Sequence, residues 1–164
     1  MRFSKTIALT SLILAAAAVS ARQDISLASL DGKTVTSSSM RGRVVVLLFA
    51  GIQDPQCRDE FKALETLAER FRDKDVNVYW VSINPVSAAS DDRLRAQCGA
   101  GTSVAILRDP NQTVFKRFGG AQLPTAVILD RTGQAQGKPR GGFNPNADFV
   151  NDLAAVVDAL LSRK

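Results

Sequence analysis

Phe49-Ala50-Gly51-Ile52-Gln53-Asp54-Pro55-Gln56-Cys57-Arg58 is the stretch in which the chain passes from one periodicity to another. Before it, Val44 to Phe49 is an unbroken apolar run, the pattern of a strand covered on both faces in a parallel sheet. After it, Phe61, Leu64, Leu67 and Phe71 recur at helical spacing, which predicts a helix from Pro55 to Lys74. Val76 to Asn84 is again apolar on both faces. Strand, helix and strand in that order predict a right-handed βαβ unit with parallel strands.

The rest of the chain arranges itself around this unit. Upstream, Ile25–Leu30 and Lys33–Thr36 flank Asp31-Gly32, a tight hairpin signal. Downstream, a Ser/Ala loop after Pro85 leads to a short helix over Asp91–Gln97, a strand over Ser103–Leu107 and a short helix over Gln112–Phe118 stopped by Gly119-Gly120. Ala126–Leu129 and Gln136–Gly141 flank Thr132-Gly133 as a second hairpin. Asn144-Pro145 opens a last helix with Phe149, Leu153, Val156, Val157 and Leu160 on one stripe. The expectation is one α/β domain, a central mixed sheet flanked by helices with a hairpin at its N-terminal end.

Arg2 and Lys5 precede the apolar run Ile7–Val19, and Val19-Ser20-Ala21 fits a small-residue cleavage site. Residues 1–21 are therefore expected to be a cleaved secretory signal and residues 22–164 the mature domain, periplasmic or secreted. Membrane contact is then confined to the cleaved segment. Removing the signal takes the formal net charge from +5 to +3, and the charges are scattered, the pattern of a solvated surface rather than a nucleic-acid patch. The chain has no histidine, which removes imidazole metal ligands and Ser-His or Cys-His nucleophile pairs. Its 2 cysteines, Cys57 and Cys98, make a poor metal site on their own, so neither metal nor cofactor is expected. In an oxidising compartment the same pair permits one disulfide.

Asp54-Pro55 reads as a helix N-cap followed by proline at the first helical position, a device that Asn144-Pro145 repeats. Asp54 is alternatively a general base for Cys57. A helix start lowers the pKa of the Cys57 thiol and a neighbouring carboxylate raises it. Cys57 also fits a small, half-buried core residue.

Gly42-Arg43-Val44-Val45-Val46-Leu47-Leu48-Phe49 resembles the entry strand G-K-V-V-V-L-N-F-W of the thioredoxin fold in its TlpA-like and redoxin (AhpC/TSA-related) forms. Asp54-Pro55-Gln56-Cys57-Arg58-Asp59-Glu60 stands where C-x-P-C-R-x-E is usual. Leu123-Pro124-Thr125-Ala126-Val127-Ile128-Leu129-Asp130-Arg131-Thr132-Gly133 is similar to G-x-P-T-x-x-x-I-D-x-x-G, implying a cis proline at Pro124, and Gly142 stands where the family has a glycine before its last helix. The resemblance covers the whole mature chain and implies thiol–disulfide exchange with protein or peptide clients. It departs from the pattern at Asp54, which replaces the nucleophilic cysteine, and at Gln53, which replaces a tryptophan. By the same resemblance Cys57 holds the resolving position, and Leu123, Pro124 and Thr125 present the edge on which an extended client segment pairs.

Ala96-Gln97-Cys98-Gly99-Ala100 resembles the resolving-cysteine segment of atypical two-cysteine thiol peroxidases, with Cys57 at the peroxidatic position. That family's P-x-x-x-T-x-x-C is broken at Ala50 and Asp54, and Thr125 stands in place of its late arginine, so peroxide has few donors to hold it. Three functions remain open: a divergent thiol–disulfide oxidoreductase using Cys57 with Cys98 as resolver, a non-catalytic binding or chaperone-like module, and a weak peroxiredoxin-like antioxidant. A purely structural Cys57–Cys98 bridge would stabilise the domain by about 4 kcal/mol.

Overall fold

The computed structural model describes residues 24–52, 56–99, 103–143 and 148–163. Its elements run β1 (Ser26–Ser29), β2 (Thr34–Thr36), α1 (Ser37–Met40), β3 (Val44–Ala50), α2 (Cys57–Arg70), β4 (Val76–Ser82), α3 (Asp91–Cys98), β5 (Ala105–Arg108), α4 (Thr113–Arg117), β6 (Thr125–Leu129), β7 (Arg140–Gly141) and α5 (Phe149–Leu161). The strands form one 7-stranded mixed sheet in the order β2-β1-β5-β4-β3-β6-β7. β3 lies parallel to β4 and antiparallel to β6, and β1 and β2 form the antiparallel hairpin.

The unbroken apolar character of β3 has a simple cause: every one of its residues is buried, because the sheet is covered on both sides. Val44, Val46, Leu48 and Ala50 join one core with Phe61, Leu64 and Leu67 of α2, Leu94 of α3 and Leu153, Val157 and Leu160 of α5. The alternate residues Val45, Leu47 and Phe49 join a second core with Met40 of α1 and Val114 and Phe115 of α4. Phe49 and Phe115 meet there with ring centroids 5.6 Å apart. Three helices thus cover one face and the two short ones the other.

Several boundaries differ from the sequence expectation, and the strand expected over Gln136–Gly141 is confined to Arg140–Gly141. α2 begins at Cys57, not Pro55, with Gln56 at the cap position and no side-chain cap bond, and it ends at Arg70. The readings of Asp54 as cap or as base, and of Gln53 and Pro55, lie outside the described residues. α5 begins at Phe149, with Asp148 at its cap position, rather than at Asn144-Pro145, which also lies outside the described residues. α1 was absent from the sequence reading: its three consecutive serines form a turn only because Thr36 Oγ1 accepts from the Ser39 N–H while the Ser39 hydroxyl oxygen accepts from the Thr36 N–H.

The β6–β7 connection is organised by Asp130. Its carboxylate accepts the Thr132 N–H (2.9 Å) and hydroxyl (2.6 Å), the Gln134 N–H (3.1 Å) and the Gln136 amide (2.7 Å). Burial raises the carboxyl pKa, but these bonds outweigh it and hold it below its ordinary value.

Candidate functional site

Cys57 is the first residue of α2 and Cys98 the last of α3, and the two form a disulfide with their Cα atoms 5.3 Å apart. That separation suits a disulfide without backbone rearrangement. The sulfur at the resolving position therefore has a partner, supplied by a different helix. Both cysteines are buried, Cys57 to 3% and Cys98 to 1% exposure.

Each helix end is fixed by its surroundings. At the start of α3, Ser90 Oγ accepts the Arg93 N–H at 3.2 Å. The nearly buried Arg108 at the end of β5 donates to Asp91 Oδ1 (2.6 Å) and to the Ala89 carbonyl (2.6 Å), clamping α3 to the sheet. At its other end the chain leaves α3 through Gly99 at φ +92°, a conformation that a side chain would strain. At the start of α2, Glu60 lies one turn past Cys57 and is fully buried; its Oε2 accepts the Trp80 indole N–H at 3.1 Å. Glu60 was given no role in the sequence reading. The signal for it was Trp80, since an indole N–H in a buried strand needs an acceptor.

Leu123-Pro124 is a cis peptide. The turn adjoins the C-terminal end of β3: Thr125 pairs with Phe49, and a Cβ built on Gly51 would lie 3.8 Å from Leu123 Cδ1 and 3.7 Å from Asn84 Oδ1. Asn84 Oδ1 also accepts the Ile52 N–H at 2.7 Å, which fixes the chain leaving β3. Thr125 and Pro124 are buried, with Thr125 paired to both β3 and β7 and the Pro124 carbonyl accepting the Gly142 N–H at 2.9 Å. Gly142 adopts φ +83°, which explains why glycine stands there. Leu123 alone of these three is exposed, and with Val86 it makes up the exposed large apolar side chains among the described residues.

The structure thus brings Cys57 to Cys98 by a covalent bond, and sets Leu123, Pro124 and Thr125 at the end of the strand that leads to Cys57. Among the described residues no group of three or more Cys, Asp or Glu side chains is arranged to hold a metal ion.

The AhpC/TSA family model matches residues 20–137. The chain belongs to the AhpC/TSA family. It is 26% identical over 105 residues to the thiol-disulfide oxidoreductase ResA of Bacillus thuringiensis (strain Al Hakam), covering 64% of this chain and 59% of that protein. The chain therefore spans about three-fifths of that relative's length. A structure assigned as the thiol:disulfide interchange protein DsbE of Chlorobium tepidum superposes with TM-score 0.71 at 25% identity, covering 86% of this chain and 95% of that one. The exposed lipoprotein thioredoxin Etrx1 of Streptococcus pneumoniae strain TIGR4 superposes with TM-score 0.69 at 22% identity, over 84% of this chain and 100% of that one, a likeness of fold. The thioredoxin-like fold read from the sequence is the fold observed.

Proposed function

We propose that the protein is an exported thiol–disulfide oxidoreductase whose redox couple is Cys57–Cys98. One observation carries this reading: the sulfur at the family's active helix start is bonded to a sulfur 41 residues away. A dithiol pair thus exists within the chain although Asp54 replaces the first cysteine of the usual motif. Thiol-disulfide oxidoreductases among the relatives support the activity. Export is supported by the leader pattern of residues 1–21 and by one structural neighbour being named an exposed lipoprotein.

In the reduced protein we assign the attack to Cys57, which stands at the N-terminal end of a 14-residue helix whose dipole favours a thiolate. Its thiolate attacks a client disulfide, forming a Cys57–client bond and expelling one client sulfur as thiolate. The Cys98 thiolate then attacks Cys57, forming the Cys57–Cys98 bond and releasing the second client thiolate. Two electrons pass from the protein to the client, and the thiolates take protons from solvent. The exposed Leu123 and the backbone beside cis Pro124 are the proposed client-docking edge.

Burial of both sulfurs favours a second reading, in which the disulfide is a structural brace and the Leu123 edge serves a non-catalytic binding module. Insulin disulfide reduction with dithiothreitol as electron source separates the two. The redox reading expects turnover by the wild type and none by Cys57→Ser. Equal rates for both proteins would leave the brace.

A further inference from the structure

A cleft of about 260 Å³ opens between α2 and α3, lined by Arg58, Phe61, Lys62, Glu65, Ala96, Cys98 and Gly99. Cys98 is part of its wall, so the cleft lies against the Cys98 half of the disulfide. The cations in that wall are uncommitted: among the described residues neither Arg58 nor Lys62 forms an ion pair. Their order along α2 matters. At about 1.5 Å rise per residue, Arg58 lies one step and Lys62 some five steps past Cys57, whereas Glu65 lies about 12 Å from it. Along the axis of α2 the two cations are thus nearer the disulfide than Glu65 is, which favours an anionic group close to the sulfurs.

We propose that this cleft admits a small carboxylate-bearing thiol to Cys98, so that Cys98 is the sulfur attacked and Cys57 the sulfur released when the disulfide is reduced. The inference rests on the redox reading of this pair and adds its reductant class and its direction. Two separate features converge on the same polarity. The wall of the cleft includes Cys98, and the dipole at the start of α2 favours negative charge on Cys57 as the departing sulfur. Cys98 at 1% exposure also limits the attacker to a molecule small enough to enter the cleft.

The step balances. The thiolate of the small thiol bonds to Cys98 Sγ while the Cys57–Cys98 bond breaks and its electron pair leaves on Cys57. A second molecule of the same thiol attacks the sulfur of the first, giving the small-molecule disulfide and the Cys98 thiolate. Two thiols are oxidised and one protein disulfide is reduced.

The test measures reduction of the oxidised full-length protein by 3-mercaptopropionate, 2-mercaptoethanol and cysteamine, compared at equal thiolate concentration and low salt. The anionic thiol should outpace the cationic one by about tenfold, a preference that fades at high ionic strength. In Arg58→Gln/Lys62→Gln the ratio should fall close to one. Acid-quenched mixed disulfide mapped by mass spectrometry should sit on Cys98. A charge-blind rate order, or an adduct on Cys57, overturns the proposal. Insulin turnover is read on the same preparations. Turnover with charge-blind reduction breaks only the cleft, whereas selective reduction without turnover breaks the oxidoreductase reading and leaves the chemistry at Cys98 standing.

Discussion

The Cys57–Cys98 junction and the Leu123–Pro124 turn, the two parts of the proposed exchange site, are built in opposite ways. The first is covalent, closed and almost fully buried. The second ends in an exposed leucine beside a cis proline whose carbonyl is held by Gly142. The turn keeps the proline, threonine and aspartate of the resembled pattern at Pro124, Thr125 and Asp130, with Gln122 where that pattern has glycine, while Cys57 is bonded to a cysteine at the end of α3. The two regions therefore rest on different contacts: the turn on strand pairing with β3, and the sulfur pair on how α2 and α3 meet.

Substitutions should expose that difference, and the largest effect belongs to the junction. Cys98→Ser removes a bridge closing a 41-residue separation, so urea unfolding under non-reducing conditions should show a loss of about 4 kcal/mol. A loss below about 1 kcal/mol would mean that the junction is held by packing alone. Trp80→Phe deletes the indole donor to the buried Glu60, one turn past Cys57 in α2, and should cost about 2 kcal/mol. A neutral result would show that the Glu60 carboxylate needs no donor from β4.

The turn side should respond more gently. Asp130→Ala strips four hydrogen bonds from the β6–β7 connection and should cost about 1 kcal/mol near neutral pH. Because the folded-state carboxyl is held below 3.8, this contribution is complete above that pH and is lost as pH falls through the lowered value. Wild type and variant should therefore converge in urea midpoint in strong acid, and a gap independent of pH would assign the effect to the side chain's volume. Smallest of all, Leu123→Ser should change stability by less than about 0.5 kcal/mol. Its effect should fall on the client, as a raised KM in insulin reduction with kcat nearly kept. An unchanged KM would remove Leu123 from the docking edge.

The same contrast governs what could be read from the amino acids. β3 was legible because burial on both faces writes an unbroken apolar run, and α2 because Phe61, Leu64, Leu67 and Phe71 all face the core. The cis proline was legible from a local motif. Helix starts were not: Asp-Pro and Asn-Pro pairs resemble caps, yet α2 and α5 begin at Cys57 and Phe149, where packing on the sheet takes hold. α1 escaped because serines are poor helix formers and its turn rests on the Thr36–Ser39 bonds. Glu60 escaped because an apolar stripe does not count a buried carboxylate. The meeting of Cys57 with Cys98 depends on the placement of α3 by Arg108 and Asp91, a tertiary contact with no local signature.

A redox titration of the Cys57–Cys98 pair in thiol–disulfide buffers, read by alkylation and mass shift, bears most directly on whether this junction is a working couple. A couple that exchanges electrons with clients should equilibrate between about −120 and −270 mV, the span of exchange proteins. A midpoint below about −300 mV would mark a permanent brace and contradict the redox reading.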